Sequence, residues 1–382
     1  MQAAERLRIA FVVHDYNRVL GHSRYVAELA ERFAGAHDVH VFANRFEGLP
    51  ANIVPHRVPA ARFSALATIF SFVVPASLMT AREQFDVVHA QGLTVFNPDV
   101  ITAHISNARW LEGRRLLEGA NLSWRERLFG ALVIPAERRS LRDGRATAIA
   151  ISSALRQDLA TTYGRSGKTV VIPHGVDERQ FHPGVRLQFR EAVRHETGID
   201  ERTPLFLYVG DFRKGMEPAI RALQLVPGAH LLGISRTNPS AYRAIAAECG
   251  VADRTTFLPP TNQIERYYGA SDALVLPTPY DAFGMVLTEA MACGLPVITT
   301  PLAGAAELLT DGIHGLFVPS PNDVEGLGAA MRTLSESAAT RERMGQASAA
   351  LMREHTWERV ARRTLSVYYD HIARRRARAR TH

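Results

Sequence analysis

Two carboxylates, Asp281 and Glu289, stand eight positions apart, and Glu289 is the single charged side chain between Asp281 and Glu307. Its neighbours Met285, Val286, Leu287, Ala290 and Met291 leave no polar stripe at helical spacing, so the helix that carries Glu289 is expected to be enclosed. A carboxylate on such a helix is costly unless it is hydrogen-bonded or paired. An internal donor or cap would meet that need, and so would the vicinal hydroxyls of a ligand, which acidic residues accept from in nucleotide-ribose sites. Further upstream, Arg213 and Lys214 precede Gly215. Two cations in a turn suit a diphosphate, whose charge develops as a nucleotide leaves a sugar; a solvated basic turn is the alternative. His104 follows the apolar run "VITA", where a strand-end histidine with an ordinary partner is the simple reading.

These residues need elements to hold them. "DALVLP" reads as a buried strand, "TPYDA" as the loop leaving its carboxyl end, and "GMVLTEAMAC" as a helix closed by Gly294 and followed by Pro296. Gly284 lets backbone approach a ligand, and the N–H groups at the helix start suit a diphosphate. Asp281 lies just beyond, placed for the hydroxyls of a sugar. In the first half, Gly21 precedes a helix that Ser23 is positioned to cap.

Short β-branched runs alternate with helical patterns along nearly the whole chain, which predicts parallel sheets with crossover helices. One series runs from "RIAFVV" to "TVVIP" and a second from "PLFLYVG" to "GLFVP", with a crossover near residue 180. In such sheets ligands bind outside the carboxyl ends of the strands. The last amphipathic pattern, "TWERVARRTLSVYYDHIARR", offers Trp357, Val360, Leu365 and Tyr368 for burial.

Composition narrows the class. With 382 residues, 46% hydrophobic and 22% charged, the chain is neither disordered nor membrane-embedded, and it is long enough for two domains. Its net charge of +7 gathers in "ARRRARARTH" at the C-terminus without interleaved aromatics, which argues against nucleic acid and leaves a solvated tail or an anionic membrane surface. Cys249 and Cys293 give neither a disulfide framework nor metal-ligand spacing, in keeping with a reducing, cytoplasmic setting. The apolar run Phe63 to Met79 is short for a membrane span and is interrupted by Ser64, Ser71 and Pro75, so it reads as a buried or surface-docking helix. Asp-x-Asp, G-x-G-x-x-G after a strand, G-x-S-x-G and the P-loop are all absent. A metal-held diphosphate and an NAD-dependent oxidoreductase are therefore not expected.

Asp281, Phe283-Gly284, Glu289-Ala290, Gly294-Leu295-Pro296-Val297 and "DGIHGLFVPSPND" together resemble the signature of the retaining GT-B glycosyltransferases of family 4, the glycosyl transferases group 1. "VVHAQG", "VITAHI", "VVIPHGVDERQFHP", "YVGDFRKG" and "TWERVARR" follow in the family's order, and the "RKG" form is similar to lipopolysaccharide-core and cell-envelope members. The resemblance implies a GT-B fold, an α/β architecture of two Rossmann-like doubly wound domains facing a central cleft. It implies an acceptor domain over 1–178, onto which 358–382 packs back, and a donor domain over 179–357. It implies metal-independent, cofactor-free transfer from a nucleotide diphosphate sugar to an acceptor hydroxyl, with retention and an α-product. The departing phosphate would take the acceptor's proton on the front face.

The implied catalytic residues are His104, Arg213, Lys214 and Asp281. Donor contacts fall on Gly21, His22, Gly210, Arg213, Lys214, Asp281, Phe283, Gly284, Met285, Val286 and Glu289, with no metal ligand. Three positions depart from the commoner pattern: Asp281 replaces a glutamate, shortening its reach by roughly 1.5 Å, His22 replaces a glycine, and Asp211 replaces an arginine. A UDP-sugar is expected over a GDP-sugar. The acceptor is expected to be lipid-linked or a saccharide of the cell envelope, reached by peripheral contact with the anionic inner face of the cytoplasmic membrane. A small soluble aglycone stays open, as do a nucleotide-sugar epimerase or phosphorylase and a non-catalytic protein that kept the fold.

Overall fold

The apolar runs that alternate with helical segments pair in parallel and build two separate sheets. The computed structural model describes residues 6–18, 21–118, 122–142 and 144–379; the end of the basic tail, from Arg380, lies outside the described residues. The chain divides into two compact units. The first takes the chain up to Leu111, Leu122–Gly175 and the segment from Trp357 on; the second takes Glu112–Asn121 and Val176–Thr356.

In the first unit the elements run β1 (Arg8–Val12), β2 (Asp15–Tyr16), α1 (Gly21–Phe33), β3 (Asp38–Ala43), β4 (Arg45–Phe46), β5 (Val54–Arg57), α2 (Ala65–Ala81), β6 (Val87–Gln91) and β7 (Val100–Ala103). There follow α3 (Asn107–Glu118), which continues into the second unit's share, then α4 (Trp124–Arg142), β8 (Thr147–Ala150), α5 (Ser153–Thr161) and β9 (Thr169–Val171). The seven-stranded sheet has the order β5-β3-β1-β6-β7-β8-β9, while β2 and β4 pair on their own. Strand order therefore reverses between β1 and β6.

One local expectation is revised in this unit and another, the helix over the apolar run, is met. Because α1 starts at Gly21, Ser23 lies inside its first turn rather than at its N-cap; the side chain is fully buried and its hydroxyl has no hydrogen-bond partner among the described residues. The apolar run becomes α2 without interruption. Ser64 caps it by accepting from Ala67 N at 3.1 Å, Ser71 folds its hydroxyl back onto the Ala67 carbonyl, and Pro75 sits within the helix. Phe72, Val73, Ala76 and Thr80 are buried, whereas Phe70, Val74 and Leu78 face outward. Among the described residues no helix is long and apolar enough to cross a membrane.

The second unit runs α6 (Val185–Thr197), β10 (Leu205–Val209), α7 (Met216–Leu223), β11 (His230–Ile234), α8 (Ser240–Glu248), β12 (Thr255–Leu258), α9 (Ile264–Ala270), β13 (Ala273–Leu276), α10 (Met285–Ala292), β14 (Val297–Thr299), β15 (Gly315–Phe317), α11 (Val324–Glu336) and α12 (Ala338–Met352). Its sheet has the order β12-β11-β10-β13-β14-β15, reversing between β10 and β13, which pair through Phe206 with Ala273 and Leu207 with Leu274. Arg194 of α6 is fully buried because Asp272, just before β13, receives its guanidinium at 2.7 Å and the Ala270 carbonyl accepts at 2.9 Å. Asp272 also accepts from Leu205 N at 2.9 Å, so one carboxylate ties α6 to both strands at the reversal.

After Thr356 the chain returns to the first unit as α13 (Trp357–Ala379). Trp357 and Tyr368 are fully buried, Val360 is buried and Leu365 is only half-buried. The Tyr368 hydroxyl meets His89 Nδ1 at 2.6 Å, and Lys168 pairs with Asp370 at 2.9 Å. The apolar stripe of α13 thereby becomes part of the first unit's core.

Candidate active site

An open parallel sheet leaves a crevice where strand order reverses, because the two adjoining crossovers depart to opposite sides. In the second unit that place lies beyond β10 and β13, and most of the residues singled out by type and spacing gather there. β10 ends at Gly210, whose φ of +130° turns the chain into a single 3₁₀ turn over Phe212–Lys214. Gly215 follows with φ +120°, and a Cβ on it would stand 2.4 Å from the Pro277 carbonyl oxygen. Only glycine permits the turn after β10 to rest so closely on the loop after β13.

That close approach joins two residues far apart in sequence. Lys214 Nζ lies 2.7 Å from Asp281 Oδ2, with a third of the lysine side chain and a fifth of the aspartate exposed (33% and 21%). Burial works to lower the lysine pKa, but Asp281 outweighs it and holds the ammonium above its ordinary value.

The loop carrying Asp281 is itself clamped. Thr300 donates to the Thr278 carbonyl at 2.6 Å, Gly304 N to the Asp281 carbonyl at 2.8 Å, and Ala305 N to the Phe283 carbonyl at 2.6 Å. Gly304 sits so tightly beneath it that a Cβ would come within 2.1 Å of the Ala282 oxygen. Gly284, at φ +87°, then starts α10 and provides no side-chain cap; of the first-turn N–H groups, that of Leu287 turns back onto the Gly284 carbonyl at 2.9 Å.

Glu289 is 6% exposed, and its Oε2 accepts from the Tyr268 hydroxyl at 3.0 Å. The enclosed helix thus supplies an internal donor for the carboxylate. Leu287 to Ala292 are buried, and Met285 and Val286 at the helix start are half-buried.

Arg213 sits differently from Lys214. Its guanidinium forks onto Asp211, with Nε at 3.0 and 3.1 Å and Nη2 at 2.6 Å from the carboxylate oxygens, and Thr237 donates to Asp211 at 3.1 Å. Burial raises the Asp211 pKa, yet the bonds from Arg213 and Thr237 more than offset it and the carboxyl is lowered. Asp211, an outlier in the sequence pattern, balances the arginine inside its own turn.

The remaining candidates occupy the first unit. His104 follows β7, and its Nε2 lies 2.8 Å from Gln91 Oε1 at the end of β6, while its Nδ1 has no partner among the described residues. Burial, with the nearby rings of His174, His22 and His89, keeps it neutral. Gly21 and His22 open α1; the His22 ring lies 6.3 Å from that of His104, and burial lowers its pKa too. Among the described residues one group has metal-ligand types and spacing, His40, His56 and Glu83. The two imidazoles share a hydrogen bond of 2.8 Å with ring centroids 5.1 Å apart, which makes a nearly straight contact occupied by a proton rather than a chelate.

Comparison with known proteins adds the family. Residues 189–350 match the model described as glycosyl transferases group 1, and residues 19–180 match that of glycosyltransferase family 4. The second half of the chain thus carries a glycosyl transferases group 1 domain and the first half a glycosyltransferase family 4 domain.

Over 90% of its length the chain is 28% identical to a D-inositol 3-phosphate glycosyltransferase of Xylanimonas cellulosilytica, covering 84% of that relative. Among solved structures it is similar to WaaG, a glycosyltransferase involved in lipopolysaccharide biosynthesis, with a TM-score of 0.79 at 22% identity over 94% of this chain and 99% of that one. It is also similar to Anabaena Alr3699/HepE in complex with UDP-glucose, with a TM-score of 0.73 at 16% identity over 94% and 100%. The structural likenesses establish the GT-B fold, and with the family they make this chain a glycosyltransferase.

Several residues that hold the candidate side chains in each unit escaped sequence reasoning. Tyr268 stands in α9, where nothing in the spacing marks it as the donor to Glu289. Thr237 follows β11, and Gln91 takes a place that reads only as the end of a strand. Gly304 alone left a signal, as a glycine in the loop after β14.

Proposed function

We propose that this glycosyltransferase moves a sugar from a UDP-sugar to an acceptor hydroxyl with retention, forming an α-glycosidic bond without a metal ion. The observation that carries the proposal is the Lys214–Asp281 pair, set across the strand-order reversal beside the uncapped start of α10. A diphosphate arriving there meets the positive end of the helix and an ammonium kept charged by its partner. Phosphate oxygens compete for Lys214, which frees Asp281 for the hydroxyls of the sugar. Glu289, held by Tyr268, accepts from the ribose. As the bond from C1 to the phosphate oxygen breaks and the bond to the acceptor oxygen forms, negative charge grows on the leaving phosphate. Lys214 stabilises it there, and the acceptor's proton passes to that phosphate on the same face. Arg213 joins only by loosening its fork on Asp211.

Gly210, Phe283, Met285 and Val286 serve the donor in this reading; in the first unit the backbone at Gly21 and the neutral rings of His22 and His104 suit sugar hydroxyls. UDP is favoured by the UDP-glucose bound in the Anabaena structure. For the acceptor, a lipid-linked or saccharide envelope substrate is favoured by the likeness to a lipopolysaccharide enzyme and by the outward row Phe70, Val74 and Leu78 on α2. On this reading the enzyme works on the cytoplasmic side with peripheral membrane contact. A small phosphorylated polyol is the second reading, favoured by the name of the relative that aligns along most of its length.

The test is a thermal-shift titration with UDP, GDP, ADP and their sugar conjugates, each with and without Mg²⁺. UDP at about 100 times its Kd is expected to add roughly 2.7 kcal/mol without metal. No stabilisation by any nucleotide would overturn the proposal. The anomeric signal of the product in a proton NMR spectrum reports retention.

A further inference from the structure

Helix α4 carries on its outer face a pattern that glycosyl transfer does not use. Trp124, Leu128 and Leu132 recur at i, i+4 and i+8, and they are 69%, 44% and 45% exposed. Four-residue spacing stacks them in one row along the helix. The opposite side is buried through Gly130, Val133, Glu137 and Leu141, so packing in the first unit already uses the inner face and leaves the row outside.

The same helical spacing extends the row into charge. Arg138, Arg139 and Arg142 occupy the last turns of the same outward face and, with Pro135, line a concavity. Arg139 and Arg142 form no ion pair among the described residues, and Arg138 only donates to the Thr162 carbonyl at 3.1 Å. Near the start, Arg125 lies over the Trp124 ring at 5.5 Å. The acids of the helix are engaged elsewhere: Glu126 accepts from Ser123, and Glu137 is buried on Tyr163 and Asn107. The outward face is thus apolar toward its start and cationic toward its end, with no carboxylate between.

We propose that α4 docks the first unit on an anionic lipid bilayer, Trp124, Leu128 and Leu132 entering the acyl boundary and Arg138, Arg139 and Arg142 holding lipid phosphates. A tryptophan flanked by arginine beside a leucine row has the amphipathic make-up of an interfacial helix. Five arginines on one helix match a surface of repeated negative charge better than a protein groove of fixed shape. The inference deepens the envelope-acceptor reading by naming the docking element, and it rests on that reading only for its purpose. α4 contains none of the residues assigned to the donor.

The experiment uses the full chain and needs no turnover. Vesicles of phosphatidylcholine alone, and with about one third phosphatidylglycerol, are titrated while co-sedimentation and tryptophan emission are recorded. Binding to the anionic vesicles with a blue shift in emission is expected, and binding to the neutral ones is expected to be at least tenfold weaker. Joint replacement Arg138→Ala, Arg139→Ala and Arg142→Ala is expected to weaken partitioning about a hundredfold. Trp124→Ser with Leu128→Ser should remove both binding and blue shift, with Leu187→Ser, 95% exposed on α6 of the second unit, as the control that leaves both in place.

Two results would sink the proposal: vesicle binding unchanged by the α4 variants, or concentration-dependent self-association that shifts the emission without lipid. UDP stabilisation of the same variants, measured alongside, separates the two ideas. Its retention while lipid binding is lost supports docking by α4, and its absence in the unmodified chain counts against the donor reading alone.

Discussion

The two sheets share one strand order around their reversals, yet their carboxyl edges differ: ion pairs dominate the second, whereas the first gathers buried histidines beside a single Arg62–Asp15 pair. Beyond β10 and β13 the second unit sets charge against charge, Lys214 on Asp281 and Arg213 on Asp211. At the corresponding edge of the first unit stand rings that burial keeps neutral. His14 is pushed down to about 4, His22 and His104 are lowered as well, and deeper in the sheet, mid-way along β6, His89 falls to about 3. In the proposed function the same backbone plan serves two ligand chemistries. Paired ions can exchange partners with a diphosphate at little desolvation cost, whereas neutral imidazoles suit hydroxyls and would gain little from an anion.

The sharpest way to break this contrast is Lys214→Ala. Turnover should fall by two to three orders of magnitude while donor affinity changes far less; a loss confined to KM would make Lys214 a uniform binding contact.

Acid should divide the units next. A ring neutral in the folded state and charged in the unfolded state contributes stability that is present above pH 6.5 and lost as pH falls toward its folded value. His14 and His89 together should cost the first unit roughly 3 kcal/mol between pH 7 and pH 5. In the second unit, His230 is similarly lowered, to about 4, and His314 also has a lowered pKa. Glu137, raised to about 7 by burial despite bonds from Tyr163 and Asn107, acts in the opposite sense, its contribution fading as pH rises from the usual carboxylate range to 7. All three tryptophans, Trp110, Trp124 and Trp357, belong to the first unit, so their emission on acid titration reports that unit alone. A first unit as acid-resistant as the second would remove the contrast.

Gly215→Ala should destabilise the second unit by about 2 to 3 kcal/mol, since its φ and the Pro277 oxygen both exclude a Cβ; calorimetry gives the value. Tyr268→Phe is the mildest change, expected to cost about 1 kcal/mol of stability and to weaken UDP binding several-fold, read in the same titration.

Much of this was legible in the sequence because it rests on local pattern. Alternating apolar runs announce strands, and the absence of a polar stripe around Glu289 announces an enclosed helix with a partner to find. The Lys214–Asp281 contact was not legible, because it joins loops 67 positions apart through a glycine whose neighbour across the sheet no spacing reveals. Ser71 and Pro75 looked like breaks in an apolar run, but a hydroxyl folded onto its own helix and a proline inside it leave α2 continuous. Ser23 was misplaced by two residues, enough to turn a cap into a buried hydroxyl. Asp211 looked like a departure from a pattern, and only its distance to Arg213 shows what it replaces.

The return of α13 sets a timetable for synthesis. The second unit is complete once the chain reaches Thr356, and its ends are already side by side there, Val176 N donating to the His355 carbonyl at 2.8 Å. The first unit begins earlier and finishes later, because Trp357 and Tyr368 of its core follow the whole second unit in the chain. Until they arrive, Tyr25 and His89 lack neighbours that cover them in the finished molecule. The part made first is therefore the part that waits, open to chaperones for as long as translation of the rest takes.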